Sequence, residues 1–322
     1  MVKDQLRHGH TLSRRKALFG GACLCCLPAL RRRAEAAGMP RPASMIEVSA
    51  GLHVRRGLTE EASGSNDDAI ANIGLIVGRE AVAVIDPGGC LEDGESLRLA
   101  IREVTKLPIR YVVMSHIHPD HIFGAAAFQP DQPVFVGHAA LPAQLDARGE
   151  FYRQGLEKIL GAGRAGPVVV PTLLVRDQAE LDLGGRVLSL TAHRPAHTVC
   201  DLSVVDRQSG ILLTGDLLFV DRVPALDGDL KGWLTELAEL KAAARQAVPG
   251  HGPVLVPLAD AAAALEQYLR VLLEETRAAI ANGVPIEEAA ATVAVSERGN
   301  WQMFDDYNGR NVMEAWRRLE WE

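Results

Sequence analysis

Residues 70–77 and 81–85 form two short apolar runs separated only by Gly78-Arg79-Glu80. A glycine-bearing break of that length between such runs predicts a β-hairpin. Over residues 93–107 the apolar positions recur at helical spacing (Leu97, Ala100, Ile101, Val104), behind an acidic start and with Lys106 near the end, which predicts a helix. Ile109–Met114 reads as a buried strand that runs directly into Ser115-His116-Ile117-His118-Pro119-Asp120-His121. Further strands are predicted at residues 134–136, 187–191, 202–206 and 211–214, and long alanine-rich helices at 229–247 and 258–281. Residues 142–172, rich in Gly, Arg and Pro, predict a loop insertion of the kind that covers a site. Strands in hairpins with helices set between them imply an α/β (α+β) fold, a four-layer αβ/βα sandwich of two mixed β-sheets with helices on the outer faces and loops at one edge. The expected organisation is a leader over 1–36, a flexible lead-in over 37–44, one domain over 45–257, and a C-terminal helical extension over 258–322 packed on it.

The start of the chain has its own pattern. Ser13-Arg14-Arg15-Lys16-Ala17-Leu18-Phe19 precedes a small and apolar run of about 14 residues, then Arg31-Arg32-Arg33 and Ala34-Glu35-Ala36-Ala37, the parts of a secretory signal. The paired arginines resemble the twin-arginine export signal, so export to the periplasm is expected. The run is shorter than the roughly 20 residues that span a bilayer. No second run of membrane length and no internal repeat follows it.

Composition narrows the classes. With 48% apolar and 23% charged residues the chain is of globular type, and a formal charge of −7 argues against a nucleic-acid binder. Eight basic and two acidic groups lie in residues 1–36, so removal of a leader carrying +6 leaves a mature chain near −13. Cys23, Cys25 and Cys26 leave with it, and Cys90 and Cys200 remain, either to pair in an oxidising compartment or to stand as two buried thiols.

The candidate chemistry lies in the histidines, five of which fall just beyond apolar strands or at glycine turns: His116, His118 and His121 with Asp120, then His197 in Pro195-Ala196-His197-Thr198, and His251 in Pro249-Gly250-His251-Gly252. With Asp216 in Thr214-Gly215-Asp216 they offer five imidazoles and two carboxylates, enough for two metal ions and a bridge between them. Imidazole and carboxylate suit Zn²⁺, and also iron or manganese. His193 and Ser115 are expected to support the ligands, and Thr198 to cap the segment after His197.

The order His-x-His-x-Asp-His, Pro-Ala-His-Thr, Thr-Gly-Asp, Pro-Gly-His-Gly resembles the metallo-β-lactamase superfamily, and within it the hydrolase branch typified by glyoxalase II. The resemblance spans about residues 70–252. It implies that His116, His118 and His197 hold one metal, that Asp120, His121 and His251 hold the other, and that Asp216 bridges both. It also implies that Asp86 steadies a ligand from behind, and that Ala196 alters a turn where relatives carry glycine. Cys200 is left no place among the ligands. The C-terminal residues Asn300-Trp301, Phe304, Tyr307, Gly309-Arg310-Asn311-Val312 and Leu319-Glu320-Trp321-Glu322 resemble the ending of exported quinoprotein-relay zinc metallohydrolases, related to Sox-operon H proteins. That implies an accessory place beside a periplasmic quinoprotein dehydrogenase or a sulfur-oxidation system.

The expected activity is hydrolysis of an ester, thioester or related acyl bond by a zinc-activated water, with Asp216 holding the metals together and Asp120 orienting the water or carrying its proton. An iron-dependent persulfide dioxygenase and a non-catalytic protein clamped by its metals are the alternatives; a β-lactamase fits less well. Phe151, Tyr152, Phe219 and Arg222 either line the substrate wall or pack it down. The aromatic tail (Trp301, Phe304, Tyr307, Trp316, Trp321) is expected to dock a helix onto the sandwich.

Overall fold

The structure is a computed structural model that describes residues 41–322. The leader and the first half of the lead-in lie outside the described residues.

Strands β1 (Ile46–Ser49), β2 (Leu52–Arg55), β3 (Ile73–Val77), β4 (Val82–Ile85), β5 (Ile109–Met114), β6 (Val134–His138) and β7 (Leu173–Val175) make one sheet in that order. It is antiparallel as far as β4 and parallel from β4 to β7, because α1 (Leu91–Val104) and later helices cross over between the parallel strands. The second sheet runs in the order β13-β12-β11-β10-β9-β8, from β8 (Gln178–Asp182), β9 (Val187–Ala192), β10 (Leu202–Asp206), β11 (Ile211–Leu213), β12 (Gln246–Val248) and β13 (Val256–Pro257). Only β11 and β12 pair in parallel there.

Period-two alternation assigns each strand's side chains to two layers. On β4, Val82 and Val84 join a core shared with α1, whereas Ala83 and Ile85 face the other sheet. On β11, Ile211 and Leu213 face the first sheet and Leu212 faces outward to helices. The inner layer is closed by Leu52, Ile76, Val113, Leu188, Leu190 and Val204, all buried. Helices cover both outer faces, α1 and α3 (Leu141–Leu160) on one side and α4 (Leu230–Ala243), α5 (Leu258–Ala281) and α7 (Phe304–Leu319) on the other. Two short helices complete the set, α2 (Pro119–Ile122) and α6 (Ile286–Thr292). No helix among the described residues is long and apolar enough to cross a membrane.

Three expectations are corrected. Residues 142–172 are not an open insertion, since most of them belong to α3. Leu141, Leu145, Leu156 and Leu160 give that helix a buried stripe, and its proline sits in the first turn, where no backbone donor is needed. The helix expected to run to residue 247 stops at Ala243. Gln246–Val248 instead forms β12, whose Ala247 and Val248 are buried beside β11 and deliver the Pro249-Gly250-His251 loop. The first hairpin strand begins at Ile73, since Ile70 and Asn72 bond to the His251 loop rather than to a neighbouring strand.

In the tail, Trp301 and Phe304 are buried, Tyr307 and Trp316 pack partly against the core around α5, and Trp321 is exposed and docks nothing. Cys90 and Cys200 are free and buried, so they do not pair. Burial pushes the Cys200 thiol up to about 12.

Candidate metal centre

Strand ends at one edge of the sandwich carry the site. A bend at His116 and Ile117 just beyond β5 brings the His116 and His118 rings together, their centroids 4.8 Å apart, and α2 presents Asp120 and His121. Beyond β9 comes His197, after β11 Asp216, and after β12 His251. Two groups result, His116, His118, His197 and Asp216, then Asp120, His121 and His251, with the ligand atoms in each within 4.8 Å of one another.

Asp216 spans them. Its Oδ2 lies 3.7 Å from His116 Nε2 and 3.4 Å from His197 Nε2, and its Oδ1 lies 3.1 Å from His121 Nε2 and 3.4 Å from His251 Nε2. Asp120 Oδ2 completes the second group, 3.2 Å from His251 Nε2 and 3.5 Å from His121 Nε2.

A partner on the far ring nitrogen fixes each imidazole. The Ser115 hydroxyl donates to Asp86 Oδ2 (2.9 Å), so it accepts from His116 Nδ1 (2.9 Å). His121 Nδ1 donates to the same Asp86 oxygen at 2.8 Å, and His118 Nε2 donates to Asp227 Oδ2 at 3.2 Å. His197 Nδ1 and His251 Nδ1 donate to the backbone oxygens of Ala225 (2.7 Å) and Ile70 (3.0 Å). Five lone pairs therefore converge: His118 contributes Nδ1 and the other four contribute Nε2.

The arrangement calls for cations. Buried His121 Nε2 and Asp216 Oδ1 have no hydrogen-bond partner, although they face each other at 3.1 Å, and a positive ion between them would satisfy both. Burial holds His116 well below its usual pKa and His197 at about 3, so both stay in the neutral form that ligates. In the second group burial also opposes charge on His121, but the Asp216, Asp120 and Asp86 carboxylates outweigh it and hold that imidazole well above its usual value. His251 is raised in the same way, chiefly by Asp216 against burial. A proton there occupies the place that a metal's charge would take.

A profile of the metallo-beta-lactamase superfamily matches residues 66–274. The chain belongs to the metallo-beta-lactamase superfamily. Other similarities agree in fold. A metallo-beta-lactamase from Pontibacter korlensis superposes at a TM-score of 0.58 with 19% identity over 70% of this chain and 98% of its own. The stereoselective inverting sec-alkylsulfatase from Pseudomonas sp. superposes at 0.64 with 18% identity, over 87% of this chain and 51% of its own. In sequence, the linear primary-alkylsulfatase of Pseudomonas sp. (strain ATCC 19151) is 28% identical over 81 residues, which are 25% of this chain and 15% of that protein. This superfamily member thus matches only a small part of its curated relative, and spans about half of the solved sulfatase.

The remaining sequence-derived residues separate. Asp86 and Ser115 sit behind the His116 and His121 imidazoles, as expected. His193 does not: its ring nitrogens are taken by Glu236 (2.8 Å) and Ser203 (2.7 Å), and neither bonds a ligand. Thr198 accepts from Cys200 N and donates to Asp201, closing the turn after His197. Ala196 has no positive φ, so this turn does not demand glycine. Of the expected wall, Phe151 and Tyr152 line a cleft beside Asp120. Phe219 lies behind the ligands, stacked on His251 with ring centroids 5.0 Å apart, and Arg222 is buried with its Nη2 on Tyr307 Oη.

Two supporting residues carried no sequence signal. Asp227 binds His118, and also Arg148 Nη2 (2.5 Å) and Tyr152 Oη (3.4 Å) on α3. Asn72 donates to Pro249 O (2.9 Å), accepts from Gly57 N (2.9 Å), and through its own N–H bonds Gly250 O (2.7 Å). Only the distant pairing of chain segments gives these two side chains their partners.

Proposed function

We propose that the protein is a dinuclear, zinc-dependent hydrolase of an ester, thioester or related acyl bond. The observation that carries this reading is the single Asp216 carboxylate whose two oxygens each face one group of imidazoles. His116, His118 and His197 would hold one ion, Asp120, His121 and His251 the other, with Asp216 between. When bound, the metals supply Lewis acidity toward water and toward the substrate's polarised oxygen. The residues supply the rest: Asp120 spends Oδ2 on the imidazole side and lines the cleft, where its carboxylate can accept a proton from water and pass it on. The backing of Asp86, Asp227 and two carbonyls keeps the imidazoles from turning.

A second reading, hydrolysis of a sulfate ester by the same site, is favoured by the two alkylsulfatases to which the chain is similar. Zinc-loaded protein assayed on thioesters, lactones, β-lactams and alkyl sulfates, against Asp216→Asn, tests both. Turnover that Asp216→Asn lowers at least about 10³-fold supports a hydrolase, and the substrate that turns over chooses between them. One equivalent of native iron with oxygen consumption on a persulfide would sink the proposal in favour of the dioxygenase. Equal residual turnover in both proteins would favour the non-catalytic clamp.

Export by the twin-arginine route and service to a periplasmic quinoprotein or sulfur-oxidation system are supported by the leader and tail sequences. Fractionation of cells expressing the full chain and an Arg14→Lys, Arg15→Lys variant tests the route, with loss of periplasmic protein expected for the variant.

A further inference from the structure

A cleft of about 420 Å³ opens beside Asp120. One wall is α3, with Phe151 and Tyr152, and the other is α7, with Tyr307 and Arg310. Asp68 lies in its lining too, only 2% exposed, and outside the metal ligand set.

Three features of Asp68 need explaining together. Its backbone is left-handed, φ 57°, where glycine would sit without cost. Surrounding contacts lock that conformation: Asp68 N donates to Asn66 Oδ1, Ile70 N donates to Asp68 O, and a β-carbon on Gly89 would stand 2.2 Å from Asp68 O. Lastly, no protein donor hydrogen-bonds its carboxyl among the described residues. The nearby guanidiniums bond other groups, Arg55 bonding Asp93, Arg164 bonding Asp67 and Glu92, and Arg222 bonding Glu60 O and Tyr307 Oη, while the Nε atoms of Arg55 and Arg222 bond nothing, Asp68 included. A strained, buried, unpartnered carboxyl facing a cleft is costly to the fold, and such strain is kept where a ligand uses it.

We propose that Asp68 is a specificity-determining residue whose carboxyl accepts a hydrogen bond from an O–H or N–H group carried by the substrate close to its scissile bond. This role rests on the hydrolase reading of the neighbouring metal centre. A substrate seated between α3 and α7 closes the cleft over this carboxyl and must supply its hydrogen bond, or leave a buried polar group unpaired. Sites built around such a group reject analogues that lack the donor far more strongly than an apolar pocket discriminates shape. The aromatic rings of Phe151, Tyr152 and Tyr307 provide the contact for the substrate's apolar body.

Binding of three matched acids to the zinc-loaded protein, read by calorimetry, tests the assignment without needing turnover. Tropic acid carries the hydroxyl, 3-amino-2-phenylpropionic acid carries an amine in its place, and 2-phenylpropionic acid carries neither. The wild type is expected to bind at least one of the first two about tenfold or more tightly than the third. A preference for the hydroxyl or the amine alone identifies the donor. Asp68→Gly is expected to bring all three within about threefold, and to raise the Tm of the metal-free protein by about 2 to 4 °C, because glycine relieves the left-handed backbone and removes the desolvated carboxyl. Asp68→Asn, which keeps a carbonyl acceptor, should retain part of the preference. Equal or undetectable binding of all three acids by the wild type, a preference that survives in Asp68→Gly, or a lowered Tm would each overturn the assignment. Turnover by the wild type reports on the hydrolase reading separately, so the two fail independently.

Discussion

Gly250 lies so close to Asp216 that a β-carbon added to the glycine would stand 1.9 Å from Asp216 Oδ1. The residue before His251 therefore lets the carboxylate occupy the midpoint between the two groups of imidazoles, and its own N–H is bonded to Gly215 O (2.9 Å) and Leu218 O (3.1 Å). Gly250→Ala is expected to push Asp216 aside and to lower bound metal from about two ions to one or fewer per chain, measured by elemental analysis after dialysis. Retention of two ions would show that the loop yields to the methyl group without cost.

Asp86 and Asp227 support different ligands. Asp86 holds His121 directly and His116 through Ser115, so it reaches both groups, whereas Asp227 holds only His118. Asp86→Asn should weaken both metals about 10- to 100-fold, and Asp227→Asn only one of them. Competition with a chromophoric chelator resolves the two steps, and equal effects on both steps from Asp227→Asn would contradict this division.

Metal uptake should depend on pH unequally. His121 and His251 have raised pKa values, so below those values they hold protons that a metal must displace, and affinity there rises with pH. His116 and His197 are lowered and already neutral, so a metal displaces no proton from these two near pH 7. Calorimetry in buffers of different ionisation enthalpy is expected to show more protons released at one step than at the other.

Asn72→Ala should cost roughly 2 to 4 kcal/mol, since it removes a buried donor to Pro249 O and strands the N–H of Gly57. Thermal melting of the metal-free protein measures this. A loss below about 0.5 kcal/mol would mean that the His251 loop is held by its backbone bonds alone.

The pH dependence of stability offers a further check at Asp201, whose carboxyl burial raises to about 6 while its bonds to Thr198 oppose the shift. The folded state binds this proton more tightly than the unfolded one, so the contribution is fully present below about pH 4 and is lost as pH rises to about 6. Asp201→Asn should flatten that part of the profile, read as Tm against pH, and an unchanged slope would place the titration elsewhere.

Much of this was legible along the chain because the signals are local. The hairpin of β3 and β4 follows from two apolar runs and a three-residue break, and the strands 109–114 and 202–206 and the helix 258–281 coincide with apolar patterns. Local signals failed where a neighbour decided the outcome. Gln246–Val248 carries no strand pattern strong enough to end an alanine-rich helix, and it becomes β12 because β11 offers a parallel edge. Residues 142–160 became helical because a leucine stripe had a sheet to cover, which outweighs their glycines.

The sequence by itself determined which side chains could ligate, since residue type and motif order are local facts that the fold does not alter. Tertiary structure decided which oxygen of Asp216 faces which imidazoles, that Asp227 and Asn72 hold the site in place, that His193 turns away to Glu236, and that the Asp68 carboxyl is buried without a hydrogen-bond partner among the described residues. Each of these depends on segments up to 181 residues apart meeting at the sheet edge. Hydrogen-bond geometry is set at that meeting, within tenths of an ångström, and residue order along the chain does not encode it.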